Sequence, residues 1–290
     1  MNPKRALQEL ATLGLATCVF GCQGQPDEPA EVGSQETTIA QAGAAGSAGS
    51  SAGPKPSLGG AAGAGEDAAS QPGPFPGPAG DPGSTAVALD DERITGWAAS
   101  FVAPVEYGQD VDEPWQHPEL ALAAATGEPF DVVSLGNGGR ITLTFDDAIR
   151  DGEGFDFAVF ENAHVDTFLE LAFVEVSSDG SSFARFESTY LGEESVSQYG
   201  AHDATLMDGL AGKYRIGFGT PFDLAALDAH PSVISGAVDL QAITHVRIVD
   251  IIGDGLEQDS QGHPIYDPYP TVGSGGFDLE AVAVLNAADE

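Results

Sequence analysis

The stretch from Asp250 to Asp278 holds the residues most suited to chemistry. It sets Asp250, Asp254, Glu257, Asp259, Asp267 and Asp278 among glycines and prolines, with Tyr266 and Tyr269 close by. Hard cations such as Ca²⁺ take about six to eight oxygen ligands, which acidic loops and backbone carbonyls supply. Asp254, Asp259, Asp267 and Asp278 are therefore the candidate metal ligands, and Ca²⁺ the candidate cofactor. The spacing is not that of an EF-hand, because Asp254-Gly255-Leu256-Glu257 breaks the alternation of ligands. A solvated acidic loop in an acidic protein would read the same way.

A second set of residues suits a sugar. Trp115, Tyr266 and Tyr269 lie in Pro-rich, loop-like segments. Exposed aromatic faces stack on the flat apolar faces of sugar rings, while neighbouring carboxylates accept hydroxyl protons. Glu161 and Asn162 end a strongly apolar run, where their side chains would meet a ligand or, on the plainer reading, cap the turn through backbone hydrogen bonds. For the aromatics the plainer reading is packing over the ends of the fold, and Trp97 reads as core. The six histidines (His117, His164, His202, His230, His245, His263) show neither H-E-x-x-H nor paired spacing, which argues against zinc. No nucleophile or glycosidase pair stands out among so many carboxylates, so the chain is expected not to be an enzyme. Gly49-Ser50-Ser51-Ala52-Gly53 matches G-x-S-x-G in letters only, since no strand precedes it and no helix follows.

Charge narrows the partners. Lys and Arg total 10 against 45 Asp and Glu in 290 residues, a net charge of −35. Such a chain repels nucleic acid, whose recognition needs clustered cations, and attracts cationic partners. The 38 glycines and 19 prolines exceed ordinary usage and point to a segment that does not pack.

That segment follows a leader. Lys4 and Arg5 precede an apolar stretch from Leu10 to Phe20 that is too short to span a bilayer. Val19-Phe20-Gly21-Cys22 then resembles the lipobox of bacterial lipoproteins, with cleavage before Cys22 and lipid on its thiol. Cys18 is a rival position, and an ordinary secretory signal is the alternative. The resemblance implies an outer-membrane lipoprotein, held to the membrane by its lipid alone, since Gln23 rather than Asp follows the cysteine. Residues 23–84 are rich in Ala, Gly, Ser and Pro and bury too little apolar surface to fold, so they read as a flexible linker reaching about 40–45 Å.

The elements that must position the candidate residues lie in 85–290, with 7 basic and 37 acidic residues. Ile141, Leu143 and Phe145 alternate as on a strand with one buried face. Phe155 to Phe160 and Leu171 to Val176 are dense enough to be covered on both faces. Ser177-Ser178-Asp179-Gly180 between apolar runs signals a hairpin. Ile243 to Ile252 and Leu279 to Leu285 supply later strands, and short helices are expected over His117–Ala125 and over Pro221–Leu227, the latter with Pro at its start. The fold class is all-β: an antiparallel β-sandwich with one or two short helices.

Five motifs occur in order: Val133-Ser134-Leu135-Gly136-Asn137-Gly138-Gly139, Ile141 to Phe145, Asp156 to Asn162, Val174 to Gly180, and Gly276 to Val282. The set resembles a family of bacterial cell surface proteins, many of which carry PEP-CTERM sorting tails. The Val174 to Gly180 hairpin is similar to those of discoidin and galactose-binding-like jelly rolls. Those resemblances imply a jelly-roll head that binds glycans or other surface ligands at loops on one end, often beside a structural calcium. The expected function is thus a lipid-anchored surface module that binds an extracellular glycan. An adhesive module for protein or matrix and a hydrolase of surface polysaccharide are the alternatives.

Overall fold

Two antiparallel sheets stack to form the domain, and their strands follow the apolar pattern closely. The computed structural model describes residues 73–287, so Cys18, Cys22, the leader and the linker up to residue 72 lie outside the described residues. The first sheet runs in the order β1 (Val87–Ala88), β11 (Phe218–Phe222), β6 (Phe157–Glu161), β15 (Asp278–Val284) and β2 (Gly96–Trp97), with β4 (Val133–Ser134) also paired to β15. The second runs β3 (Ser100–Phe101), β5 (Arg140–Ile149), β12 (Ile243–Asp250), β7 (Ala172–Ser177) and β8 (Ala184–Arg185). Two hairpin-like pairs complete the set: β9 (Thr189–Tyr190) with β10 (Met207–Asp208), and β13 (Asp254–Gln258) with β14 (Pro264–Tyr266). The all-β sandwich expected from the sequence is the fold observed.

Side-chain alternation fixes which face each sheet turns inward. Phe157 and Val159 of β6, with Val282 and Val284 of β15, meet Ile141 and Leu143 of β5 and Val246 and Ile248 of β12 in the central core. The intervening Ala158, Phe160, Ala281 and Ala283 face the other way, where Val87, Leu89 and Trp97 from the first strands cover them. This second layer is why β6 and β15 are apolar at almost every position. Trp97 packs there against Phe160, with ring centroids 5.5 Å apart.

Three local devices hold the frame. In the hairpin joining β7 to β8, the Asp179 carboxylate accepts hydrogen bonds from the backbone N–H groups of Ser181 and Ser182, both at 2.8 Å. Gly180 supplies the left-handed turn residue, with φ of 74°. In β5 the alternation continues through Leu143, but Phe145 is only partly buried because pairing with β12 slips between Thr144 and Ile149. In β15 a bulge falls at Glu280: Leu279 faces Glu161 and Ala281 faces Phe160, leaving Glu280 as the extra residue. The bulge turns both Leu279 and Val282 inward although they are three apart. It also aims the buried Glu280 Oε1 at the N–H groups of Thr126 and Gly127, which donate at 2.6 and 2.7 Å. Glu280→Ala strands those donors and is expected to cost about 2–3 kcal/mol in urea unfolding, whereas Glu280→Gln keeps an acceptor and costs less.

The structure moves three of the expected boundaries. Residues 73–84, read as linker, pack against the domain: Gly73 N–H donates to Thr205 Oγ1 at 2.6 Å and Phe75 N–H to the Thr205 carbonyl at 3.1 Å. The Arg215 guanidinium holds the Ala79 carbonyl at 2.9 Å. Phe75, the one aromatic in that otherwise small-residue stretch, is the signal that it packs. The helix expected over His117–Ala125 is a 3₁₀ turn at Pro118–Ala121, which stops because Leu122 is extended and Ala123 takes a left-handed φ of 65°. The one expected over Pro221–Leu227 is a 3₁₀ turn at Leu224–Leu227 capped by Asp223, while Pro221 belongs to β11. Pro221 is tolerated in that strand because β1 pairs only with Phe218 and Gly219, leaving β11 an edge at Pro221.

Candidate ligand-binding cleft

Four strands of the sandwich place carboxylates at the same end. β6 finishes on Glu161, β12 finishes on Asp250, β15 begins on Asp278, and Glu170 stands two positions before β7. The side chains of all four are buried, with Glu161 2 %, Glu170 5 %, Asp250 3 % and Asp278 6 % exposed. Over them opens a cleft of about 250 Å³. Asn162, Glu170 and Asp278 line its depth, and Trp115, Phe130 and Tyr199 stand among its walls. Phe130 is 64 % and Tyr199 81 % exposed, although large aromatics ordinarily cover themselves. The Trp115 and Phe130 rings lie 6.2 Å apart, tilted by 46°.

Each buried carboxylate has a different set of partners. Asp278 accepts from the Ser134 hydroxyl in a short contact and from the Asn162 amide at 3.2 Å. Asn162 also donates to the Pro129 carbonyl at 2.8 Å, which ties the Phe130 loop to the strand ends. Asp250 accepts from the N–H groups of Gly138 and Phe277, both at 2.6 Å. Glu161 accepts from Ala163 N–H at 2.8 Å. Glu170 receives no hydrogen bond from any described residue. No ion pair among the described residues involves any of these four.

Burial without counter-ions shifts these groups toward the neutral acid. Desolvation raises Asp250 to about 7 against the pull of its two backbone donors. It raises Asp278 to about 7 against Ser134 and Asn162. Glu161 and Glu170 are pushed well above the usual carboxylate range, first by burial and then by neighbouring acids, Asp278 among them. Asp267 is raised in the same way and lies 3.7 Å from His202, whose own burial lowers it to about 4.

The residues picked from the sequence fall in different places. Trp115, Asn162 and Asp278 line the cleft, and Glu161 lies buried beside it, bonded to the turn that follows β6. Tyr266 packs against the cluster around Leu171 and Ile265, and Tyr269 is 37 % exposed; neither lines the cleft. The four aspartates assigned to a metal do not converge. Asp254 is exposed on β13 and accepts from Leu256 N–H. The Asp259 carboxylate organises a turn, accepting from the N–H groups of Tyr190, Gln261 and His263. Asp267 accepts from Leu171 N–H. Among the described residues, the acidic group compact enough for one ion is Asp151, Asp156 and Asp223, with ligand atoms within 4.8 Å of one another. There Asp156 is already engaged by Gly152 N–H, Leu224 N–H and the Asn286 amide. No three of the four aspartates fall in a group that compact.

Phe130, Tyr199 and Glu170 belong to the cleft and escape a motif search. Glu170 carries a usable signal, since it is a single charge inside Phe168-Leu169-Glu170-Leu171-Ala172-Phe173. A lone acid in an apolar run is either misplaced or there for a purpose. Tyr199 and Phe130 sit in polar and Pro-flanked loops with no periodicity to mark them. No family model matches the chain, and no curated protein matches it significantly.

Proposed function

We propose that this domain is a non-catalytic binding module, carried outside the cytoplasm on a lipid attached to Cys22, and that the cleft takes an extracellular glycan. The observation that carries the reading is the cleft itself: three aromatic side chains, two of them largely exposed, over a polar floor of Asn162, Glu170 and Asp278. Aromatic faces stack on the axial C–H groups of sugars, and the acids and amide match hydroxyls. Loops at one end of a sandwich can vary without disturbing the sheets, which suits them to recognition.

Glycan-array binding by the full chain tests this reading. Tyr199→Ala and Phe130→Ala are expected to weaken a positive glycan at least tenfold, while leaving the melting temperature within about 2 °C because both side chains are exposed. Removal of Tyr269 is expected to leave affinity unchanged. An array without positives, or positives indifferent to Tyr199 and Phe130, would remove the glycan from the cleft. Protein or matrix adhesion would then be the reading to pursue.

A further inference from the structure

The glycan reading leaves one feature of the cleft unexplained. Asn162, Gln198, Thr271 and Ser274 give the cleft the mixed donors and acceptors a neutral sugar needs, but Glu170 and Asp278 add two carboxyls to its depth, with His164 the one basic residue of the lining. Glu170 is 95 % buried, lines the cleft, and is offered no hydrogen bond by the described residues. A group so placed ordinarily has a partner, because burying an unpaired acid costs several kcal/mol by roughly the desolvation scale. The side of Glu170 that faces the cleft is where that partner can arrive.

We infer that the glycan taken here carries a free ammonium group, as in a sugar whose amine is not acylated, and that Glu170 and Asp278 receive that ammonium. This deepens the glycan reading and rests on it. Three observations converge. First, an ammonium presents three donors and no acceptor, and of the floor groups the carboxyls, once ionised, match it best. Second, the walls are aromatic: Trp115, Phe130 and Tyr199 present π faces, which attract cations as well as stacking on rings. Third, the chain carries −35, so its field concentrates cationic ligands and repels acidic ones.

A divalent metal suits the same charge less well. It needs ligand atoms gathered around a point, and no three acids of this cleft lie within 4.8 Å of one another as the separate Asp151 group does. An ammonium on a sugar ring asks only for two acceptors at hydrogen-bond distance. The remainder of the ligand then lies between the aromatic walls. Asn162 holds Asp278 in place through its amide, and so fixes one of the two acceptors.

The test is calorimetric titration of the full chain at pH 6 with three probes: the β-1,4-glucosamine tetramer, its fully N-acetylated counterpart, and cellotetraose. The glucosamine tetramer is expected to bind at least tenfold more tightly than either of the others. Glu170→Gln, which keeps the shape and removes the carboxyl that ionises only when an ammonium meets it, its proton passing to solvent, is expected to erase that preference. Tyr199→Ala, at an exposed position, is expected to weaken all three alike. If wild-type chain binds the three equally, or favours the acetylated form, the ammonium assignment is overturned while the glycan reading survives. If trilysine binds as tightly as the glucosamine tetramer, the cleft reads amines without reading sugars, and the assignment is likewise overturned. Failure of every sugar to bind overturns both. Should Glu170→Gln fail to fold, the three-probe comparison on the unaltered chain decides alone.

Discussion

Raising the pH from 6 to 7.5 in 0.5 M NaCl is expected to lower the melting temperature of the domain by about 5–10 °C. The sign follows from protons bound in the two states. Asp250 and Asp278 have folded values of about 7, above those of free aspartate near 4, so the folded chain holds protons that the unfolded chain has released. A raised acid contributes stability fully below its unfolded value and loses it as pH climbs through its folded value. Each such group moves stability by about 1.4 kcal/mol per pH unit, so two of them give about 3 kcal/mol over this window. For a domain of this size that is about 2–4 °C per kcal/mol. Glu161, Glu170 and Asp267 are raised further and act in the same direction.

Three groups oppose the trend: His245, lowered by burial, and the upper end of the His202 range offset part of the loss near pH 6 to 6.5, and Lys213 acts above the window. His202, lowered to about 4, adds stability as pH rises from about 4 to 6.5. Lys213, lowered to about 8 by burial, does so above pH 8. High salt screens the surface repulsion of an acidic chain and leaves buried groups largely untouched, which separates the two effects. Differential scanning calorimetry at pH 6, 6.75 and 7.5 reads the slope, and Asp250→Asn should flatten it. A melt that is level across that range would mean these carboxylates are not held neutral.

The other large effect belongs to the loop after β4. Leu135-Gly136-Asn137-Gly138-Gly139 folds back on itself, with Gly139 N–H donating to the Gly136 carbonyl at 2.8 Å and Gly136 N–H to the Gly275 carbonyl at 2.8 Å. A Cβ at Gly139 would lie 1.9 Å from the Leu135 carbonyl oxygen and 2.7 Å from Gly108 N. Those are backbone atoms, which no rotamer change can move aside. The neighbouring Gly138 N–H is one of the two donors to Asp250, so displacement of the loop reaches the buried acids. Gly139→Ala is expected to cost more than about 3 kcal/mol and to lower the melting temperature by about 10 °C or more. Gly80→Ala serves as the control. Gly80 has a φ of 96° but nothing within 4 Å of an added Cβ, so it should lose only about 1 kcal/mol of backbone preference. Equal losses at the two positions would show that crowding at Gly139 is relieved by loop movement.

The frame was legible because its signals are periodic. β5, β7, β12 and β15 announce themselves through alternation or density, and the β7–β8 turn through Asp179-Gly180. The cleft was legible only in part. Trp115 and Asn162 stood out by type and position, whereas Tyr266 and Tyr269 were drawn in by their proximity in sequence to acidic residues. Closeness along the chain misleads here: Asp254 and Asp259 point to turns and solvent, while Asp250 and Asp278 meet Glu161 and Glu170 from distant strands. What brings these together is sheet order and register, and β15 lying between β6 and β4 cannot be read from composition.

The position of β15 has a consequence for biosynthesis. This strand, near the end of the sequence, pairs with β6, β4 and β2, so the centre of the first sheet is filled last as the chain is made. A ribosome-bound chain lacking residues 278–284 has β2 and β4 without their partner and the inner faces of β6 and β12 open to water. Closure between segments almost two hundred positions apart is slow, with sandwich domains typically needing milliseconds to seconds. The polypeptide therefore stays pliable until residues 278–284 have been made.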